Sequence, residues 1–409
     1  MLIYNAKIYT MSDKGTIENG FVRTEGGKIA EVGEMKDINT LPGETDFDAK
    51  GGNLYPGFID CHSHMGMWEN GLDFEGADGN EITDPTTPQL RAIDAVNPND
   101  YCFLEAARAG ITSVLTGVGS ANPIGGEILA MKTYGSPRID NRIIKSPVAI
   151  KFALGENPKK CYNDRDESPT TRLATAALIR EQLYKANRYI ADMINYEASI
   201  GTEDEGTMPD YDAKCEALIP LLKNKIKAHF HCHRADDIFT AVRIAEEFNL
   251  DYVLIHATEG GKVAGELKEI GCPCVVGPII ADRCKPELKG QTVKNAALLY
   301  NEGVEIAICS DHPENPIQYL PLEAGICIKA GLDKTAALAA ITINPAKIAG
   351  IEDKVGSIEV GKDADLTVMN GEFYDVLTEA VLVLIDGKQV KQPKGETTDE
   401  EDSENTRIL

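Results

Sequence analysis

The strongest constraint on this chain is a change of texture along it. Two β-rich stretches at its ends enclose a long middle in which apolar runs alternate with helical stretches. The strand-like runs are 111–115, 148–154, 226–233, 252–256, 274–277 and 304–309, preceded by the apolar run 53–59. Between them, 171–197, 236–248 and 335–340 carry apolar residues at helical spacing. Alternating strand and helix patterns require a parallel sheet covered by helices. Over about 290 residues the expected solution is a (β/α)8 TIM-type barrel. A doubly wound sheet is the weaker alternative, and no glycine-rich dinucleotide fingerprint follows any strand.

The ends read differently. Residues 2–10, 21–24 and 28–32 alternate apolar and polar positions between turns such as Glu25-Gly26-Gly27. The pattern returns at 365–369 and 381–385, where Asp386-Gly387 is a hairpin-turn signal. Either segment alone buries only one face, so the two are expected to pair as one composite β-sandwich. The expected division is 1–55 for its N-terminal part, 56–347 for the barrel, 348–393 for its C-terminal part, and 394–409 as a disordered acidic tail.

Composition narrows the function classes. A formal charge of −24 repels phosphate backbones and argues against a nucleic-acid partner. No apolar run approaches the roughly 18 residues that span a bilayer. The N-terminus, Met1-Leu2-Ile3-Tyr4-Asn5, lacks the basic and apolar regions of a secretion signal. The ten cysteines form no CxxC pair and read as buried free thiols. The expectation is a cytoplasmic protein acting on a small molecule, with homo-oligomerisation possible.

All seven histidines fall at or just past the end of an expected strand: His62, His64, His229, His231, His233, His256 and His312. In a barrel that is the face where catalytic groups gather. His62 and His64, two apart after an apolar strand, project to one side and suit convergence on one metal ion. His229, His231 and His233 share one strand face, where each buried ring nitrogen needs a partner. His256 ends the run 251–255, and Asp311 follows the run 306–309. A carboxylate there can hold a metal and serve as general base, while a divalent ion lowers the pKa of coordinated water to about 7.

Several motifs, in order, carry a family resemblance: Pro56-Gly57-Phe58-Ile59-Asp60-Cys61-His62-Ser63-His64, Gly110-Ile111-Thr112-Ser113-Val114, His231-Cys232-His233-Arg234-Ala235-Asp236-Asp237, Ile255-His256-Ala257-Thr258, Ser310-Asp311-His312-Pro313, and Gly356 through Leu366. Together they resemble the amidohydrolase superfamily, in its imidazolonepropionase-like and prolidase-like branch. The resemblance implies a (β/α)8 barrel with a composite β-sandwich. It implies one or two divalent metal ions, zinc first, with manganese or iron as options. The implied ligands are His62, His64, His231, His256 and Asp311, with Asp311 as general base and His256 beside it in catalysis.

Two residues compete for the fourth-strand ligand: Lys151, carboxylated in two-metal members, and Glu156, an ordinary carboxylate in the next turn. His229 is the odd histidine out. His233, Arg234, His312 and Tyr319 are the expected substrate-facing groups. The implied reaction is hydrolysis of a C–N bond in a cyclic amide, an N-acyl compound or a dipeptide. Deamination of a ring amine is the enzymatic alternative, and a non-catalytic barrel serving assembly is the alternative of another class.

Overall fold

The structure, a computed structural model, describes residues 1–203 and 205–391. The acidic tail expected at 394–409 lies outside the described residues. Two eight-stranded sheets organise the chain.

The first sheet draws on both ends of the sequence. β1 (Leu2–Tyr9), β2 (Thr16–Glu25), β3 (Lys28–Glu34), β4 (Asp46–Asp48) and β5 (Asn53–Pro56) come from the N-terminal segment. The second sheet then takes β6 (Phe58–Ser63), β7 (Ile111–Gly117), β8 (Ile124–Lys132), β9 (Ile143–Ala153), β10 (Lys227–Cys232), β11 (Tyr252–His256), β12 (Cys274–Val276) and β13 (Ile306–Ile308). The chain returns to the first sheet with β14 (Leu366–Met369), β15 (Ala380–Ile385) and β16 (Lys388–Lys391). The two ends meet where β14 pairs antiparallel with β5, Leu366 opposite Pro56 and Met369 opposite Asn53. Residues such as Ile3, Ile8, Val22, Leu54, Leu366 and Leu384 are buried together there, as half-buried strands with alternating faces require.

The second sheet is a nearly closed barrel in the order β6 to β13. One strand departs from the expected (β/α)8 pattern. β8 runs antiparallel to both β7 and β9. Only residues 118–123 separate β7 from β8, too few for the crossover that parallel neighbours need. The run Ile124–Lys132 opens with Gly125-Gly126 and has no helical stretch on either side, so strand–helix alternation does not reveal it. The remaining neighbours run parallel. Between β13 and β6 the barrel is closed by single bonds: Ile59 N–H to Ile341 O at 2.8 Å, Ile308 N–H to Ala340 O at 2.9 Å and His64 N–H to His312 O at 2.8 Å.

Period-two alternation divides the barrel residues. Ile59, Leu115, Ala149, Val253, Val275 and Ala307 pack together on one side. Phe58, Val114, Ile150, Phe230, Leu254 and Ile308 belong to the larger cluster that includes the helices. The 28-residue helix Arg172–Ser199 is started by Thr171, whose hydroxyl accepts from Ala174 N–H. Among the described residues no helix is long and apolar enough to cross a membrane.

Candidate metal centre

At the C-terminal mouth of the barrel the structure brings together two groups of side chains: His62, His64 and Asp311, and His231, His233 and His256. Within each group the potential ligand atoms lie within 4.8 Å of one another. A cavity of about 650 Å³ opens over them, walled by His64, Trp68, His231, His256, Lys285 and Asp311 among others.

In the first group Asp311 Oδ1 lies 3.2 Å from His62 Nε2 and 3.4 Å from His64 Nε2. Its Oδ2 is 4.0 Å from His256 Nε2. His64 and His256 are oriented through their other nitrogens, Nδ1 lying 2.7 Å from Gly117 O and from Gly277 O respectively. That arrangement leaves both Nε2 atoms facing the site, the usual way a ligating imidazole is fixed. Asp60, fully buried below, accepts from His62 N–H at 3.1 Å and from the Ser310 hydroxyl at 2.5 Å. It ties β6 to the segment that carries Asp311, and burial pushes its carboxyl up to about 7.

Backbone geometry contributes as well. His256, Ala257 and Asp311 have φ of 70°, 40° and 55°. Left-handed residues that are not glycine cost about 1–3 kcal/mol each and persist where surrounding contacts hold them. Here the Ala257 N–H is held by Cys232 O at 3.0 Å and the Asp311 N–H by His62 O at 3.2 Å. Strand alternation is therefore broken at the two positions where side chains must turn into the site.

The second group stands on β10 and the end of β11. His233 and His256 are stacked, with ring centroids 4.7 Å apart. The Thr258 hydroxyl sits 2.7 Å from His233 Nδ1, and Ser120 Oγ 2.9 Å from His231 Nδ1. Lys151 lies between the groups. It is fully buried on β9, with Nζ 3.1 Å from His62 Nε2, and forms no ion pair among the described residues. Burial pushes its ammonium down to about 8.

The protonation states suit a cation. Burial holds His62, His231 and His233 well below the ordinary imidazole value and brings His256 down to about 4, so these rings are neutral donors. Burial pushes Asp311 the other way. His256 and the His62 and His64 contacts more than offset it and keep the carboxylate ionised. Neutral imidazoles with an ionised carboxylate are the form a divalent metal binds. The buried His233 Nε2 has no hydrogen-bond partner among the described residues. The donor set therefore fits a divalent ion.

Other sequence expectations turn out differently. Glu156 does not join either group; its Oε2 accepts from Glu287 N–H at 3.2 Å while its own N–H donates to Glu287 Oε2 at 2.8 Å. It opens the helix Glu156–Asn163, and that reciprocal bond holds it away from the histidines. Arg234, expected to face substrate, is partly exposed and forks onto Asp236 at 2.9 and 2.8 Å. It precedes the helix Ala235–Glu247, so the acid of the first turn lies within its reach. Tyr319 ends a short 3-10 turn and is about half exposed, outside the cavity wall. His312 is buried behind that wall, Nδ1 accepting from Ile317 N–H at 3.4 Å. His233 stands within the histidine trio and also lines the cavity, whereas His229 lies inside β10, opposite Lys151 in register.

Sequence reasoning missed Ser120, Asn157, Lys285 and Glu287. All four belong to segments that follow barrel strands, and only that placement could have pointed to them.

Comparison with known proteins follows the same lines. The amidohydrolase family model matches residues 53–390. The chain is 30% identical over 392 residues to amidohydrolase tasK of Hapsidospora irregularis, covering 90% of this chain but 39% of that longer protein. It is 26% identical to an imidazolonepropionase of Mesorhizobium japonicum, covering 90% of this chain and 91% of the relative. A crystal structure of an amidohydrolase from Thermotoga maritima superposes with a TM-score of 0.90 at 40% identity, covering 96% of this chain and 99% of that one. With the barrel, the histidine groups and these matches in place, the chain belongs to the amidohydrolase family, in its imidazolonepropionase-like branch, and is a hydrolase acting on carbon–nitrogen bonds.

Proposed function

We propose that this enzyme hydrolyses the C–N bond of a small cyclic amide, N-acyl compound or dipeptide, with Asp311 as general base. The observation that carries the reading is Asp311 itself. It is ionised, with Oδ1 beside His62 and His64 and Oδ2 toward His256, at the floor of the cavity.

His62, His64 and Asp311 would hold one divalent ion, most simply zinc, and His231 and His256 a second, with Lys151 rather than Glu156 as the fourth-strand group. When bound, such an ion acidifies water and polarises a carbonyl oxygen. Asp311 Oδ2 takes the proton of the attacking water and delivers it to the departing nitrogen. His256, its Nδ1 anchored on Gly277 O, keeps its neutral Nε2 beside that oxygen. The Asp311 side chain is only 14% exposed and the His62 side chain 2%, which strengthens these electrostatic contacts. The substrate is a small molecule, and the protein acts in the cytoplasm.

The test combines metal analysis with a turnover screen of N-acyl amino acids, dipeptides and cyclic ureides. Bound zinc, manganese or iron, and turnover lost in Asp311→Asn while metal is partly retained, are expected. Protein that takes up no metal on reconstitution would sink the reading. Ammonia release from ring amines alone would shift it to a deaminase.

A further inference from the structure

Glu287 approaches the histidine trio from behind the cavity wall. Its Oε1 is 3.5 Å from His233 Nε2 and 4.0 Å from His231 Nε2, and its side chain is 1% exposed. Its other oxygen is occupied by the Glu156 N–H. His233 cannot turn away, because Nδ1 is taken by Thr258. A buried ring nitrogen with no partner therefore faces a buried carboxylate oxygen across a gap, and buried polar atoms rarely remain so.

The cation beside that gap is the Lys285 ammonium. It lies 2.9 Å from Glu287 Oε1 and 2.9 Å from Asn157 Oδ1. Asn157 also approaches the trio, its Nδ2 3.3 Å from His231 Nε2. An ammonium held by those two oxygens compensates the carboxylate but leaves His233 Nε2 unused. An ion accepting both nitrogen and oxygen donors would use all of them, and zinc and its neighbours take that donor mixture.

We propose that Glu287, His233 and Asn157, with His231 at their edge, form a further position for a divalent transition-metal ion, and that this ion and the Lys285 ammonium hold the Glu287 and Asn157 oxygens in alternation. The position is distinct from both ions of the proposed function: the first belongs to His62, His64 and Asp311, the second to His231 and His256, and His231 only borders the new position, 4.0 Å from Glu287 Oε1. Lys285 also lines the cavity, so its flexible stem has open space to enter when an ion displaces it. The enzyme thereby carries its own competitor for this position. The inference rests on the reading that the enzyme loads metal at the first group.

Zinc titration of chelator-stripped, full-length protein, with bound metal counted by mass spectrometry, separates the two. In wild type the added position is expected to be the weakest, because zinc must displace an ammonium. Lys285→Met should tighten it about 10- to 100-fold, the range that neighbouring groups exert on metal affinity. Glu287→Gln, and the double variant with Lys285→Met, should lose it while the tight zinc remains. Unchanged affinity and stoichiometry in Lys285→Met overturns the proposal, and this variant decides the matter if Glu287→Gln does not fold. Wild-type protein that binds no zinc at all would instead refute the underlying metal reading.

Discussion

Lys132 sits at the junction of the two sheets and gives the sharpest test of what holds them together. It ends β8, the antiparallel strand, with a side chain 6% exposed. Its ammonium lies 2.9 Å from Asp363, 2.7 Å from Asp365 and 3.1 Å from Asp386, all from the C-terminal return to the first sheet. Lys132→Met keeps the stem and removes the charge. Asp365, 3% exposed, would then be a buried carboxylate without its cation, although the Asp386 N–H still donates to it at 2.9 Å. Breaking a buried pair on one side costs about 3–5 kcal/mol. For a chain of this length that corresponds to a fall in unfolding midpoint of about 3–6 °C.

The loss should depend on pH in a defined direction. Burial already raises the Asp365 carboxyl above its ordinary value against the pull of Lys132. Without Lys132 it rises further. A group with a raised folded pKa contributes stability that is present below its unfolded pKa and lost as pH rises through the folded one. The variant should therefore be nearly as stable as wild type near pH 4 and increasingly less stable toward pH 7. Urea titrations at both values measure this, and Lys132→Met/Asp365→Leu should recover most of the loss at pH 7. A cost below about 1 kcal/mol at pH 7, or one independent of pH, would refute the reasoning.

Three further outcomes are expected. Glu323, which accepts from Ile279 N–H at 3.2 Å, Ile280 N–H at 3.3 Å and Asn315 Nδ2 at 2.5 Å, has a carboxyl pushed up to about 8 by burial. The stability it lends is present below its ordinary pKa of about 4.3 and lost as pH rises through 8; Glu323→Gln should flatten that slope in denaturation at pH 5 and 9, and an unchanged slope would count against it. Gly277→Ala places a Cβ 2.1 Å from Cys309 O at a φ of 143°, so it should cost about 3 kcal/mol or more and move the carbonyl that holds His256, seen as a lower melting temperature with weakened zinc binding. Chelation should lower the unfolding midpoint and added zinc restore it, because an ion bound only by the folded state stabilises by mass action; a midpoint insensitive to both would argue against a resident metal.

Much of the site could be located from sequence because strands impose a local rule. Side chains two apart share a face, and the end of an apolar run marks the barrel mouth. That rule marked the seven histidines and Asp311, the family resemblance picked His62, His64, His231, His256 and Asp311 from among them, and the structure brings those five to one mouth. It could not supply the left-handed backbone at His256 and Asp311, where alternation is broken. It also failed at Arg234 and Tyr319, which stand beside expected site residues in sequence yet point elsewhere.

The sequence by itself determined the strand–helix succession outside β8 and the strand termini that carry histidines, since each follows from periodicity within a few residues, and it left two one-faced β-rich ends that each needed a partner. Only the tertiary structure decided that β8 runs backwards, that Glu156 turns to Glu287 while Lys151 stays by His62, and that Lys285 and Glu287 come up beside His233. For the side-chain meetings the physical reason is distance along the chain. Glu156 and Glu287 are 131 residues apart, and Lys151 and His62 are 89 apart. No local periodicity encodes such meetings; they are fixed by how the barrel closes and where its loops fold back.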